Sequence, residues 1–263
     1  ERLSASKYRN CFILKGGMLI SAMVGIDSRA TMDIDTTLRN YPLNCESAEQ
    51  IVRQIADVEI DDKISFVIKK TEEIMEDSEY QGVRLSLDAY LDKTRIPLKI
   101  DISTGDVITP CEISFSYQLM FENRTIPLLA YPPETVLAEK LETILSRGEA
   151  NTRLRDFYDV YILQREDFVV TPDALCHALL ATCRKRGHED LLHTYASILD
   201  RVRQSDTMRT QWMKYQSDFD YAAGITWDTV LDTVETLCMK TLDDHAFGDE
   251  LPQEESQFEM HLL

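Results

Sequence analysis

Two aspartates, Asp33 and Asp35, stand one residue apart in the alternating segment "MDIDTTLR". The alternation predicts a strand, and residues i and i+2 of a strand project from the same face of the sheet. The two carboxylates would therefore lie side by side, where they repel each other when both are ionised. A divalent cation removes this repulsion, and Mg²⁺ is usually held by one or two carboxylates together with substrate phosphates. For this pair alone, a solvated strand face of an acidic protein is the simpler interpretation.

A third carboxylate, Asp101, ends the apolar part of the segment "IPLKIDISTGD". A charge at the end of an apolar strand costs free energy unless it has a partner. If this strand lies next to the strand of Asp33 and Asp35, three carboxylates converge on one site. The alternative is a strand-end residue that caps the turn at residues 103–105.

The apolar segment "CFIL" is followed by Lys15, Gly16 and Gly17, and the next segment, "MLISAM", predicts the start of a helix. Glycine lets the backbone approach a ligand closely, and a helix N-terminus presents unpaired N–H groups that favour anions. We therefore expect a phosphate-binding turn in front of the helix that leads to the two aspartates. A Gly-Gly pair alone is usually only a turn. Lys15 either assists phosphate binding or is a strand-end lysine in solvent.

Charged residues recur on the helices predicted for the second half of the chain. Lys140 and Arg147 are seven residues apart and share a helix face. Asp159 follows Arg155 at i, i+4 and Asp156 at i, i+3. One interpretation is a set of surface ion pairs that contribute little to stability. The other is a positive patch that could receive a triphosphate. The patch would consist of Lys140, Arg147, Arg153 and Arg155.

The chain changes character at the sequence "YPPE". Before it, "SAEQIVRQIADV" predicts a helix and seven segments predict strands. The strand segments are "NCFIL", "MDIDTTLR", "ISFVIKKTEEI", "GVRLSLDAYL", "RIPLKIDIST", "CEISFSYQL" and "RTIPLLAY". After it, six segments have helical periodicity, one of them opened by the helix-start signal "TPD". We expect a mixed α/β domain over residues 1–131, an all-helical domain over 132–245, and an acidic, loose tail over 246–263.

The net charge of the chain is −18, which repels nucleic acid unless basic residues are concentrated locally. The short basic cluster "RKRG" at residues 184–187 is more typical of a solvated helix end than of an RNA contact. No stretch approaches the roughly 20 apolar residues that a membrane span needs. The opening "ERLSASKYRN" is typical of the end of a helix, and we therefore expect a further segment before residue 1.

Cysteine and histidine do not form a recognisable site in the sequence. The six cysteines lack C-x-x-C spacing and are typical of reduced thiols in a cytosolic protein. The five histidines do not cluster with them, which argues against zinc. The motifs G-x-S-x-G, Walker A and G-x-G-x-x-G are also absent from the sequence. The carboxylates and the Gly-Gly turn therefore carry the chemical argument.

Five segments, in this order and spacing, resemble the AbiEii/AbiGii toxin family, a group of nucleotidyltransferase-like proteins in the DNA polymerase β-type superfamily. They are "ILKGGMLI", "SRATMDIDTTL", "IPLKIDISTGDVITP", "LAEKLETI" and "RLRDFYDVYIL". The resemblance extends from about residue 12 to residue 163, and more loosely beyond. It implies an α+β fold with a nucleotidyltransferase-like mixed sheet and flanking helices, followed by an all-helical C-terminal domain.

The resemblance also implies roles for individual residues. Catalytic roles would belong to Asp33, Asp35, Asp101, Lys140 and Asp156. Nucleotide binding would belong to Gly16, Gly17, Arg29, Lys140, Arg155 and Asp159. The metal, Mg²⁺ or Mn²⁺, would be held by Asp33, Asp35 and Asp101, and an NTP would be the substrate. The interval from Gly17 to Asp33 is longer than in the minimal pattern of the superfamily, which leaves the distance between turn and metal open.

The implied activity is the transfer of NMP from an NTP to an acceptor, with RNA such as tRNA as the expected acceptor. The resemblance further implies a cytoplasmic toxin of a toxin–antitoxin or abortive-infection system, with a cognate antitoxin, no membrane association and a link to GTP. Two alternatives stay open: a nucleotide-binding protein without catalysis, and a transferase that modifies a small molecule such as an aminoglycoside. The charge of −18 suits a cationic small molecule, so the charge around the site must discriminate.

Overall fold

A mixed sheet holds the aspartates that the sequence singled out, in a computed structural model that describes residues 1–29, 31–75, 81–120, 122–165 and 170–243. Its described strands are β1 (Phe12–Lys15), β2 (Asp33–Leu38), β3 (Ile64–Met75), β4 (Gln81–Leu91), β5 (Thr94–Ser103), β6 (Ile113–Gln118) and β7 (Thr125–Ala130). Their order across the sheet is β3-β4-β5-β2-β1-β7-β6. β2 is parallel to β5, β1 is parallel to β7, and the other neighbours are antiparallel. The strand of Asp33 and Asp35 therefore lies at the middle of the sheet.

Three helices accompany the strands in the first half of the described chain. They are α1 (Arg2–Ala5), α2 (Gly16–Val24) and α3 (Cys45–Ala56). α2 begins at the Gly-Gly pair itself, directly after β1. α3 begins after Asn44, whose side chain accepts a hydrogen bond from the backbone N–H of Ser47 in a capping box.

The second half of the described chain is helical. Its helices are α4 (Pro133–Arg147), α5 (Leu154–Leu163), α6 (Pro172–Arg186), α7 (Leu191–Gln204), α8 (Asp206–Asp218) and α9 (Trp227–Leu242). The side chains of Thr171, Ser205 and Thr226 accept hydrogen bonds from the first turns of α6, α8 and α9. The helix-start signal at Thr171 is thereby confirmed. No described helix has the length and apolar composition that crossing a membrane requires.

Two apolar cores pack against the sheet. The smaller core packs α1 and α3 against the sheet through residues such as Ile51 and Leu85. The larger core begins at Ile13 of β1, includes Leu19 of α2, and continues through the C-terminal helices to Leu242 of α9. A continuous apolar core thus holds β1 and α2 against the C-terminal helices.

The predicted α+β class is confirmed, and each of the seven segments predicted as strands forms one. The six helical segments of the second half are also present. The division into domains at residues 131 and 132 stays a prediction. The expected tail, residues 246–263, lies outside the described residues.

Candidate active site

A row of charged residues crosses four neighbouring strands at the middle of the sheet. Lys15 of β1 is opposite Asp35 of β2, and Asp35 is opposite Asp101 of β5. Asp101 in turn is opposite Arg84 of β4. The parallel pairing of β2 with β5 therefore brings the third carboxylate beside the first two, as the sequence indicated for neighbouring strands.

Asp33 and Asp35 have carboxylates that are open to a ligand. Neither takes a hydrogen bond or an ion pair from any residue within the described ranges. Asp33 is exposed at the start of β2, whereas Asp35 is partly buried. Burial raises the pKa of Asp35, and the charges of Asp101 and, to a smaller extent, Asp33 raise it further. A carboxylate with a raised pKa and no counter-ion in contact is one that a cation would stabilise.

Asp101 is paired with Arg84, which sequence reasoning missed. Arg84 Nε donates to Oδ1 at 2.7 Å and Nη2 donates to Oδ2 at 2.6 Å, a bidentate arginine–carboxylate pair. The alternative in which Asp101 caps the turn at residues 103–105 finds no support in these contacts. A role for Asp101 as a metal ligand stays a prediction.

A divalent metal fits this site when it is held jointly by protein and substrate. In the described part of the chain, no three Asp, Glu, His or Cys side chains are arranged so that they could hold a metal alone. Asp33 and Asp35 nevertheless offer hard oxygen donors, and Mg²⁺ needs only one or two carboxylates when phosphates complete its coordination. The donor set therefore suits Mg²⁺ or Mn²⁺ bound together with a nucleotide.

The Gly-Gly turn is packed directly against the second aspartate. Gly16 has a φ of +65°, and a Cβ placed on it would lie 2.8 Å from the Cβ of Asp35 and closer still to Oδ2. A Cβ on Gly17 would lie 2.9 Å from Nη2 of Arg29. No other residue fits either position without movement. The first N–H groups of α2 are thereby placed beside Asp35, in the manner of an anion-binding helix start.

Lys15 is buried in a polar network, so the alternative of a solvated lysine is wrong. Its Nζ donates to Ser103 Oγ at 2.8 Å and to Asp106 Oδ2 at 2.9 Å. The hydroxyl groups of Thr37 and Tyr131 each lie within hydrogen-bond distance of the same Oδ2 of Asp106, and of each other. Burial opposes ionisation of Asp106, but the charge of Lys15 and these hydrogen bonds outweigh it and lower the pKa of Asp106 to about 2.

Lys140 anchors a second buried network between α4 and α5. Its Nζ lies 2.5 Å from Asp156 Oδ1 and 3.1 Å from Asp159 Oδ2. Arg29 Nε donates to Asp159 Oδ1 at 2.7 Å, and both of these side chains are almost fully buried. Burial disfavours the charge on Lys140, but the two carboxylates outweigh it and raise the pKa of Lys140.

The interpretation of these helix charges as surface ion pairs is therefore wrong for Lys140, Asp156 and Asp159. Arg155 does not pair with Asp159 at i, i+4; its guanidinium lies over the ring of Phe219, 5.2 Å from the centroid. A cation over an aromatic face is a favourable contact. Arg155 is thus oriented by α8 and the turn after it, outside the carboxylate network.

A cavity of about 1670 Å³ joins the sheet residues to the helices. It is lined by Gly16, Gly17, Arg29, Asp33, Asp35, Asp101, Lys140, Arg155 and Asp156, so these predicted site residues face one space. Asp159 is fully buried behind this wall and does not line it. The assignment of catalytic, nucleotide-binding and metal-binding roles among them stays a prediction.

The cavity is basic although the chain is acidic. Eleven lysines and arginines line it, against seven aspartates and glutamates, in a chain of net charge −18. The helical wall contributes Arg147, Arg153, Arg155, Arg184, Lys185, Arg186 and Lys214. The "RKRG" cluster, expected as a solvated helix end, thus belongs to the cavity wall.

Part of this basic wall is fixed by a buried glutamate that sequence reasoning also missed. Arg186 forms an ion pair with Glu142, and the ring nitrogen Nδ1 of His188 lies 2.6 Å from Oε1 of the same residue. Glu142 is 1 % exposed and lies on α4, two residues after Lys140. Its position in the "AEKLET" segment placed it near the site, but only the packing of α6 on α4 identifies its partners.

Comparison with known proteins gives one family and two similar structures. The family described as "Nucleotidyl transferase AbiEii toxin, Type IV TA system" matches residues 1–233. A candidate nucleotidyltransferase from H. pylori has 14% identity and a TM-score of 0.47, with 93% of this chain and 92% of that chain covered. The JHP933 protein from Helicobacter pylori has 15% identity and a TM-score of 0.47, with 92% and 88% covered. No curated protein sequence matches the chain.

Proposed function

The chain belongs to the AbiEii family of nucleotidyl transferase toxins of type IV toxin–antitoxin systems, and on this premise we propose that it transfers NMP from an NTP to an RNA acceptor in a metal-dependent reaction. The observation that carries the choice of acceptor is the basic wall of the cavity. A polyanion gains from such a wall, whereas a cationic aminoglycoside would be repelled by it. A tRNA is the proposed acceptor class.

The nucleotide half of the reaction rests on the residues around Gly16. The N–H groups at Gly16 and Gly17 would bind the triphosphate, and Asp33 and Asp35 would hold Mg²⁺ or Mn²⁺ against it. A bound divalent cation supplies neutralisation of phosphate charge and a lowered pKa for the attacking hydroxyl. The acceptor hydroxyl would attack the α-phosphorus and release its proton to solvent. The bond between the α-phosphorus and the oxygen that bridges it to the β-phosphorus would break, and pyrophosphate would leave toward the start of α2.

The other predicted residues complete the site. Asp101 would act as the third carboxylate. Lys140 would neutralise phosphate charge from the helical side, Asp156 and Asp159 would orient its ammonium group, and Arg155 would contact the nucleotide. Most of the rate enhancement would then come from positioning and from charges fixed in advance.

Further parts of the proposal rest on family membership. They are a cognate antitoxin as partner, GTP as a candidate preferred nucleotide, and the cytoplasm as the place of action. None of them follows from the geometry of the cavity.

Incubation with each α-³²P-labelled NTP, Mg²⁺ and total bacterial tRNA tests the proposal. We expect label in tRNA with the wild-type protein, and at least about a hundredfold less with Asp35→Asn, since a positioned charge in such a site typically contributes that much. Asp57→Asn is a matched control, because Asp57 is exposed and lies outside the cavity. Unaltered transfer by folded Asp35→Asn would refute the site.

Two other outcomes would replace the proposed activity. NTP binding without transfer to any acceptor would indicate a binding protein. Label in an aminoglycoside but not in tRNA would indicate a small-molecule transferase.

A further inference from the structure

We propose that Arg84 is an internal counter-ion for Asp101. A divalent cation that binds beside Asp33 and Asp35 must displace Arg84 from this carboxylate. Arg84 would then be a positioning residue that sets how tightly the site takes its metal. This inference rests on the proposed function, because it concerns the metal that the function requires.

The geometry of the pair gives Arg84 this role. Both oxygens of Asp101 are engaged by the guanidinium, at 2.7 Å and 2.6 Å. The position of Asp101 beside Asp35 is fixed by the pairing of β2 with β5. A cation bound to Asp35 could take Asp101 as a further ligand only in place of Arg84, because the guanidinium already binds both oxygens of Asp101.

Exposure identifies which partner can move. The side chain of Asp101 is 12% exposed, whereas that of Arg84 is 37% exposed and lines the cavity. Asp101 is short and held on a strand inside the sheet, while the arginine reaches it on a flexible stem. Exchange would therefore move Arg84 and leave Asp101 in place.

The two lysines near Asp35 and Asp101 form ion pairs with other carboxylates. Lys15 pairs with Asp106, and Lys140 pairs with Asp156 and Asp159. Among the described residues, Arg84 is the cation that is hydrogen-bonded to the carboxylate of Asp101. It offsets the repulsion between Asp35 and Asp101 in the metal-free protein, and a divalent cation would take over that task.

A titration with Mn²⁺ in the absence of nucleotide, followed by the electron paramagnetic resonance signal of free Mn²⁺, tests the inference. We expect Arg84→Gln to bind Mn²⁺ about tenfold more tightly than wild type, the scale of one hydrogen-bonded charged pair. Arg84→Lys keeps the charge but loses the bidentate geometry, and should lie between the two.

Two controls separate this contact from a general effect of charge. Arg95 pairs with Asp88 across the same strands, β4 and β5, but lies outside the cavity. Arg95→Gln removes the same charge and should leave the Mn²⁺ affinity unchanged. Against an Asp101→Asn background, Arg84→Gln should give no gain, whereas an effect of charge through space would persist.

Equal or weaker Mn²⁺ binding by Arg84→Gln would overturn the inference. So would a gain of the same size in the Asp101→Asn background. If either occurs while the wild-type protein still labels tRNA, the proposed function stands and only the role of Arg84 falls. If no variant binds Mn²⁺ and no NTP is transferred, both fall.

Discussion

At the scale of single residues, Gly16 joins the turn proposed to bind phosphate to the strand proposed to bind metal. Its positive φ favours glycine, and its missing side chain leaves room for the carboxylate of Asp35. The two motifs that the sequence offered separately, a Gly-Gly turn and a D-x-D strand, are therefore one packed unit. The sequence predicted that both belong to one site, but it left the distance between them open.

Substitution of Gly16 by alanine tests both the need for a positive φ and the need for room beside Asp35. We expect Gly16→Ala to lower the free energy of unfolding by about 1–2 kcal/mol, because a Cβ is strained at this φ. We also expect at least about a tenfold loss of Mn²⁺ affinity and of nucleotide transfer, because the Cβ must displace Asp35. Urea unfolding, Mn²⁺ titration and the labelling assay measure the three quantities.

Gly25→Ala is the matched control for this prediction. Gly25 ends the same helix with a φ of +91°, but a Cβ there would meet no atom within 4 Å. The control should lose comparable stability and keep its metal affinity and activity. Equal activity of the two variants would mean that Gly16 serves only the turn.

At the scale of elements, the sequence predicted the strands and helices but not their neighbours. The alternation in "GVRLSLDAYL" predicted β4, yet Arg84 carried no signal, because its importance depends on β4 pairing with β5 opposite Asp101. Asp106 was missed for a similar reason, since its partners Lys15 and Thr37 come from β1 and β2. Long-range pairing of strands is not encoded in a local period, so residues paired across strands escape sequence reasoning.

The Asp106 network links β1, β2 and β5, and its contribution should depend on pH. Its pKa of about 2 lies below the roughly 3.9 of an unfolded aspartate. A carboxyl with a lowered pKa stabilises the fold above its unfolded pKa and loses that contribution as the pH falls through the folded value.

We therefore expect the wild-type protein to lose roughly 2 kcal/mol through Asp106 between about pH 4 and pH 2. Asp106→Asn should be less stable at neutral pH, because the buried Lys15 loses its ion pair with this carboxylate. Its deficit relative to wild type should shrink over the same acidic range. Urea unfolding of both proteins as a function of pH measures this. A deficit that stays constant down to about pH 2 would contradict the pKa assignment.

At the scale of the whole molecule, the distribution of charge matters more than its sum. The net charge of −18 favoured a cationic small molecule, whereas the packing of α4, α5, α6 and α8 around one basic cavity supports the proposed RNA acceptor. Composition cannot reveal this, because it counts charges without placing them. Acidic residues elsewhere on the surface would repel nucleic acid and so direct it to the basic cavity.

If RNA contacts the basic wall through its phosphates, its affinity must fall with salt in proportion to the number of contacts. We expect the double variant Arg184→Gln/Lys185→Gln to bind tRNA more weakly and to reduce the slope of log affinity against log salt by about 1–2, since each lost phosphate contact contributes roughly 0.7–0.9.

The double variant Arg201→Gln/Arg209→Gln removes the same charge outside the cavity, from residues that pair with Glu149 and Asp228. Fluorescence anisotropy of labelled tRNA over a series of NaCl concentrations compares them. Equal slopes for the two variants would assign the effect to net charge and remove the cavity wall as the RNA contact, whereas a change confined to the first variant would place the phosphates against the end of α6.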